Sequence, residues 1–175
     1  MTTAAPPFVL LASVGSTGRQ LALAAAVRVL GRRDVELDHE PTGRPRLRVA
    51  GSPAGADVSI SHCGGLAVAA AVRGRRIGVD VEPLAGIPAR SWRYFLTDAE
   101  AADCCADTLR AVWAWTMKEA AYKAAASPAA LHFRQIAVHG WDSGAPQVRW
   151  PAELTLLPEV FIRRHAGFAI SVVLL

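Results

Sequence analysis

The sequence predicts an α+β fold of two similar halves, residues 1–83 and 84–175, related by a pseudo-two-fold axis with a cleft between them. Three observations carry this. A Leu/Ala-rich helical stretch, 19–30, precedes the apolar segment Gly65–Val72, and a second, 109–126, precedes Gly167–Leu174. Both apolar segments open alike, as Gly65-Leu66-Ala67-Val68 and Gly167-Phe168-Ala169-Ile170. The chain has 175 residues, 52% hydrophobic and 19% charged, enough for two small halves sharing one core. Buried strands resemble one another in composition, so the echo by itself also fits two unrelated strands.

Taken in order, Phe8–Ser13 is a short apolar strand, broken by Gly15-Ser16-Thr17-Gly18. Residues 19–30 form a helix stopped by Gly31. Residues 34–56 hold Pro41, Gly43, Pro45, Gly51, Pro53 and Gly55 and read as loop with short extended pieces. Val58-Ser59-Ile60-Ser61-His62 alternates apolar and polar, which is strand patterning. Gly64-Gly65 turns the chain into the buried strand Leu66–Val72, and Arg73–Arg76 turns it into Ile77–Val81. After the connector Pro83–Pro88, residues 91–106 read as short helices, with Thr97-Asp98-Ala99-Glu100 as a helix start. Leu109 to Ala126 is the longest helix. Leu109, Val112, Trp113, Met117, Ala120, Ala121 and Ala124 fall on one face of it. Residues 131–139 and 158–174 read as strands, the latter with a turn at His165–Gly167.

Composition excludes several classes. No apolar run reaches the roughly 18 residues of a membrane span. Residues 1–18 carry no charged side chain, unlike a secretory signal. The cysteines Cys63, Cys104 and Cys105 are odd in number and two are adjacent, which suits neither a disulfide framework nor a zinc site. A reducing, cytoplasmic setting is expected. The net charge of +4 allows an anionic ligand or an acidic partner and does not argue for nucleic acid. Of the 19 basic residues 17 are Arg, and the two lysines, Lys118 and Lys123, flank Glu119.

Four groups of residues could do chemistry. Asp80 and Glu82 in Gly78-Val79-Asp80-Val81-Glu82-Pro83 alternate with Val79 and Val81, so they share one side of a strand. Two such carboxylates repel by about 3 kcal/mol at ~5 Å with an effective dielectric near 20. A solvated strand end tolerates that, and a cation between them relieves it. Glu119 and Lys123 are i and i+4 on one helix face, which fits an ordinary surface ion pair. In a chain that otherwise uses Arg, two lysines together also fit a compact charge on a phosphate oxygen. Ser61-His62 before Gly64-Gly65 can hold an anion or cap a turn. Arg19, Arg28 and Gly43-Arg44-Pro45-Arg46 can contact phosphates or lie on a solvated surface.

In order along the chain, these motifs resemble the 4′-phosphopantetheinyl transferases of the surfactin-synthetase-activating type. That family carries a Gly-Ile/Val-Asp-x-Glu strand and a Trp-x-x-Lys-Glu-x-x-x-Lys helix. Here they stand as Gly78-Val79-Asp80-Val81-Glu82 and Trp115-Thr116-Met117-Lys118-Glu119-Ala120-Ala121-Tyr122-Lys123. The upstream Ile-Ser-His stands as Ile60-Ser61-His62, Gly-Lys-Pro as Gly43-Arg44-Pro45 and the helix-opening arginine as Arg19. The resemblance implies transfer of the phosphopantetheine arm of coenzyme A to a serine of an apo acyl or peptidyl carrier protein, releasing 3′,5′-ADP. It implies Mg²⁺, with Mn²⁺ as a substitute, on Asp80, Glu82 and Glu119. Glu119 would be the general base, with Lys123 and Lys118 on the phosphate. Arg19, Arg44, Ser61 and His62 would bind the nucleotide. The active site would lie in the cleft between the halves, and the carrier would present an acidic helix. Holo-carrier synthases of the small trimeric type place their Asp motif near the N-terminus; here it lies mid-chain, so a monomer with pseudo-dimeric halves is expected. Only 18 residues precede Arg19, fewer than family members usually carry, so some nucleotide contacts are expected to be missing or supplied differently. Two competing readings are other metal-dependent phosphoryl chemistry on the same acidic cluster, and a non-catalytic module that grips a carrier.

Overall fold

A computed structural model of the chain describes residues 7–125, 131–151 and 157–175. The same order of elements occurs in it twice. In the first pass, β1 (Phe8–Val14) leads to α1 (Gly18–Leu30) and then to the hairpin β5 (Ala56–Cys63) and β6 (Leu66–Arg73). Strand β1 pairs antiparallel with β6, from Phe8 opposite Val72 to Val14 opposite Leu66, giving a sheet ordered β1-β6-β5. In the second pass, β7 (Ile77–Pro83) leads to α4 (Leu109–Ala125) and then to the hairpin β10 (Glu159–His165) and β11 (Phe168–Leu174). Strand β7 pairs antiparallel with β11, from Ile77 opposite Leu174 to Pro83 opposite Phe168, and the sheet order is β10-β11-β7. The echo in the sequence falls on β6 and β11, which occupy the same place in the two passes.

Most predicted elements form. Thr17 caps α1 in a capping box with Gln20, and Gly31, left-handed at φ 68°, ends it. Thr97 caps α3 (Asp98–Ala106) in the same way with Glu100. A short α2 (Ala89–Trp92) precedes it. The predicted last residue of the long helix, Ala126, lies outside the described residues.

Three expectations are corrected. Residues 34–56 are not mainly loop: β2 (Val35–His39), β3 (Pro45–Val49) and β4 (Ser52–Pro53) form a small antiparallel sheet. Leu37 and Leu47 stand opposite each other and are buried against α1, while polar neighbours along both strands hide the pattern. Residues 131–139 give only the short β8 (Ala137–His139), which pairs with β9 (Gln147–Arg149). Helix α4 has no single apolar face. Ala111 to Ala114, Thr116, Met117, Lys118, Ala120, Ala121 and Ala124 are all buried. It is the central helix, enclosed by β7 and β11 on one side and by α3 and the β8–β9 hairpin on another. Its alanines permit that close packing.

The cysteines are free, and burial pushes the Cys104 thiol up to about 11. Among the described residues no helix is long and apolar enough to cross a membrane.

Candidate active site

Strands β5 and β7 lie in different sheets, and side chains stitch them together. Asp57, Ser59, Ser61 and Cys63 alternate along β5 and all point at β7. Asp57 Oδ2 accepts from the backbone N–H of Ile77 at 2.9 Å, and Ser59 Oγ from that of Val79 at 3.0 Å. Ser61 Oγ donates to Asp80 Oδ1 at 2.7 Å, and Cys63 Sγ to Glu82 Oε2 at 3.5 Å. The partners advance in step along both strands, so the seam runs parallel. Asp57 and Ser59 satisfy backbone N–H groups of β7, and Ser61 and Cys63 donate to its two carboxylates.

Helix α4 lies directly on β7 because Gly78 has no side chain. A Cβ there would sit 1.8 Å from the carbonyl oxygen of Ala120 and 2.7 Å from the nitrogen of Ala124. This contact brings Lys123 and Glu119 onto Asp80. The Lys123 ammonium donates to Asp80 Oδ1 at 2.7 Å and to the Val79 carbonyl at 3.2 Å. Asp80 is only 4% exposed, so the solvated-strand-end reading does not hold for it. Its Oδ2 is buried and has no hydrogen-bond partner. Glu82, half-buried at the strand end, accepts from Trp115 Nε1 on Oε1 at 3.1 Å.

Glu119 is half-buried beside this group. Burial, then the negative charge of Asp80, push its carboxyl above the ordinary glutamate range; Lys123 pulls it down and Glu82 pushes it further up. Glu119 therefore feels the charge of both other carboxylates of the resemblance. A raised carboxyl costs stability only when ionised. The cost is absent below the ordinary glutamate range and complete above the raised value. We expect Glu119→Gln to melt higher than the unaltered chain at pH 7–8 and at the same temperature near pH 4, read from thermal midpoints across pH.

Lys118 does not join this site. It is fully buried, donating to Glu100 Oε2 at 2.7 Å and to the Phe95 carbonyl at 2.6 Å. Burial holds its ammonium below the usual lysine range, against the pull of Glu100. Glu100 also accepts from the backbone N–H groups of Thr97 and Val138, both at 2.7 Å, so the pair ties α4 to α3 and β8. Lysine and glutamate one residue apart on α4 thus face different surroundings, and the lysine pair of the sequence serves two purposes.

The residues expected at the nucleotide divide too. Ser61 is spent on Asp80. Arg44 bonds the Lys123 carbonyl through Nη1 and Asp57 through Nη2 at 2.5 Å, tying the loop before β3 to the end of α4. It also lines a cavity of about 300 Å³ with Thr42, Gly43, Ser59, Ile60, Tyr122 and Lys123. His62 is exposed beside Ser16, Thr17 and Gly18, and Arg19 is exposed on the first turn of α1. The sequence reasoning missed Asp57, Ser59 and Cys63 as a set. Their period of two through Asp57-Val58-Ser59-Ile60-Ser61-His62-Cys63 was the available signal.

Among the described residues no three carboxylate, imidazole or thiol groups stand as a ready three-ligand cage, so Asp80, Glu82 and Glu119 do not form one as they lie. Mg²⁺ needs less: one or two carboxylates, with substrate phosphates and water completing its six positions. The orphaned, buried Asp80 Oδ2 beside Glu82 fits that kind of donor set.

No curated protein matches the chain. Among the solved structures that resemble part of it are two holo-(acyl-carrier-protein) synthases. The crystal structure of Helicobacter pylori holo-(acyl-carrier-protein) synthase in complex with coenzyme A is 26% identical, covers 55% of this chain and 96% of its own, and has a TM-score of 0.47. That of Thermotoga maritima holo-(acyl-carrier-protein) synthase is 18% identical, covers 57% of this chain and 61% of its own, also with a TM-score of 0.47. The family model of the 4′-phosphopantetheinyl transferase superfamily matches residues 76–173. That span is more than half of the chain and holds the second pass from β7 through α4 to all but the last residue of β11. The chain belongs to the 4′-phosphopantetheinyl transferase superfamily.

Proposed function

We propose that this protein transfers the 4′-phosphopantetheine arm of coenzyme A to a serine of an apo carrier protein, in the manner of the surfactin-synthetase-activating type. The observation that carries the reading is the join of β7 and α4. There an unpartnered Asp80 oxygen, the Lys123 ammonium and a glutamate of raised proton affinity meet beside a cavity walled by Arg44.

Asp80 and Glu82 would hold Mg²⁺ or Mn²⁺, which when bound polarises a phosphoryl oxygen and offsets charge on it. Glu119, whose carboxyl binds a proton more readily than an ordinary glutamate, takes the proton of the attacking serine hydroxyl. The serine oxygen bonds to the phosphorus that carries pantetheine. The bond from that phosphorus to the bridging pyrophosphate oxygen breaks, and 3′,5′-ADP leaves. Lys123 stands where its ammonium can reach a phosphate oxygen as well as Asp80. Arg44, Arg19 and His62 would meet the nucleotide. Lys118 supports the helix and does not touch phosphate.

Two further points belong to the same reading. The two passes of strand, helix and hairpin would be related by a pseudo-two-fold axis within a monomer. Their junction, expected after residue 83, would then lie at the Gly74–Arg76 turn, since β7 pairs with β11. A modest positive charge suits a polyanionic cofactor and the acidic helix of a carrier.

The test is to incubate the protein with coenzyme A, Mg²⁺ and apo carrier proteins and to weigh the carrier. We expect the mass of one phosphopantetheine arm to be added, and the gain to be lost with chelator and in Asp80→Ala and Glu119→Ala. No transfer to any of several carriers, with coenzyme A binding intact, sinks the reading.

A further inference from the structure

Glu82 is held at both oxygens by groups that no catalytic step uses. Its Oε1 accepts from the Trp115 indole N–H at 3.1 Å, and its Oε2 from the Cys63 thiol at 3.5 Å. The indole cannot swing away. Its ring stands edge-on to Phe95, with centroids 4.9 Å apart at 64°, and tilted against Phe133, 5.1 Å apart at 49°. Cys63 is held in turn by the strand pairing of Cys63 with Leu66 and lies half-buried between the two passes. A glutamate at a strand end ordinarily samples several rotamers, and fixing such a side chain costs conformational entropy. Here two donors on two different elements, α4 and β5, have already fixed it. Each oxygen keeps acceptor capacity after accepting one bond. Neighbouring Asp80 presents an oxygen with no partner.

We propose that Trp115 is a positioning residue, which together with the Cys63 thiol clamps the Glu82 carboxylate and thereby sets how tightly the Asp80–Glu82 pair holds a divalent cation. The inference rests on the function proposed above for the cation, and it adds what orients one of its ligands. The indole N–H suits the task because it is a donor only, so it always presents hydrogen to the carboxylate. The aromatic row Phe95–Trp115–Phe133 then makes cation affinity depend on the seating of the residues that flank α4.

The experiment compares the full chain with Trp115→Phe, which keeps a ring between Phe95 and Phe133 and removes the N–H. Mn²⁺ binding is measured by calorimetry without coenzyme A or carrier. A lost hydrogen bond to a charged group corresponds to about a tenfold change in affinity. We expect Trp115→Phe to bind Mn²⁺ about tenfold more weakly. In the transfer reaction, the half-saturating metal concentration should rise while kcat at saturating metal stays within about threefold of the unaltered chain. If Trp115→Phe does not fold, Cys63→Val tests the other arm: weakened Mn²⁺ binding, restored by Cys63→Ser, supports the clamp. Unchanged Mn²⁺ affinity in both Trp115→Phe and Cys63→Val overturns it. Failure of transfer in the unaltered chain, with these binding differences present, would count against the proposed activity and leave the clamp standing.

Discussion

Gly78→Ala should cost this protein about 10 °C of thermal stability and lower transfer by about a hundredfold. The added Cβ would meet the Ala120 carbonyl oxygen at 1.8 Å and the Ala124 nitrogen at 2.7 Å. Both are backbone atoms of α4, so no side chain can rotate to make room. The helix must move off the strand. Overpacking of a core typically costs 1–3 kcal/mol, and a backbone clash this deep belongs at or above about 3 kcal/mol. For a chain of this size each kcal/mol shifts the midpoint by about 2–4 °C. The functional loss has a separate origin. Asp80 is on the strand and Lys123 and Glu119 are on the helix, so separating the two elements opens the 2.7 Å contact between Lys123 and Asp80. A misplacement of about 1 Å is enough for a hundredfold loss of rate. Thermal scans and the carrier mass assay measure the two effects independently. A Gly78→Ala variant with near-normal melting and turnover would show that α4 does not depend on this contact.

Lys118→Ala should be the most destabilising change on α4, by about 3–5 kcal/mol, because it leaves Glu100 buried without its counter-charge. The surroundings make this severe. Lys118 is 0% exposed and Glu100 5%, so water cannot replace the missing ammonium. Glu100 keeps the two N–H donors of Thr97 and Val138, which places the loss toward the lower end of that range. A Lys118→Met, Glu100→Gln double change should recover part of the loss, since a neutral amide can still accept from those donors. Denaturant unfolding of both single variants and the double measures the coupling. The pattern also separates two roles for the lysine. A phosphate contact would lower kcat and leave stability nearly unchanged. The structure predicts the reverse, with folded Lys118→Met turning over within severalfold of the unaltered chain.

These two residues show where sequence reasoning stopped. Gly78 and Lys118 both stand in the motifs that carry the family resemblance, and neither the resemblance nor the lysine count showed what each packs against. The resemblance placed Lys118 beside Lys123 on the phosphate. Residues five apart on a helix are about 500° apart in azimuth, so they face different neighbours. Which neighbours those are depends on the packing of α3, which contributes Glu100 from 18 positions upstream. The same limit explains Ser61. A serine before a histidine reads as an anion contact until β7 is laid against β5 and supplies Asp80.

What the sequence determined by itself is the local part of the protein. The capping boxes at Thr17 and Thr97, the stop at Gly31, the hairpin turns at Gly64-Gly65 and Ala166-Gly167, and the alternation through β5 are all written in short-range patterns. So are the repeated helix-then-strand order and the motifs that identify the superfamily. The tertiary structure alone decided which polar groups are partnered. Asp80 meets Ser61 from 19 positions away and Lys123 from 43, and Glu82 meets Cys63 from 19 and Trp115 from 33. Backbone propensity and periodicity act over a few residues. The pairing of buried charges and donors is settled only when desolvation forces each to find a partner across the β5–β7–α4 join.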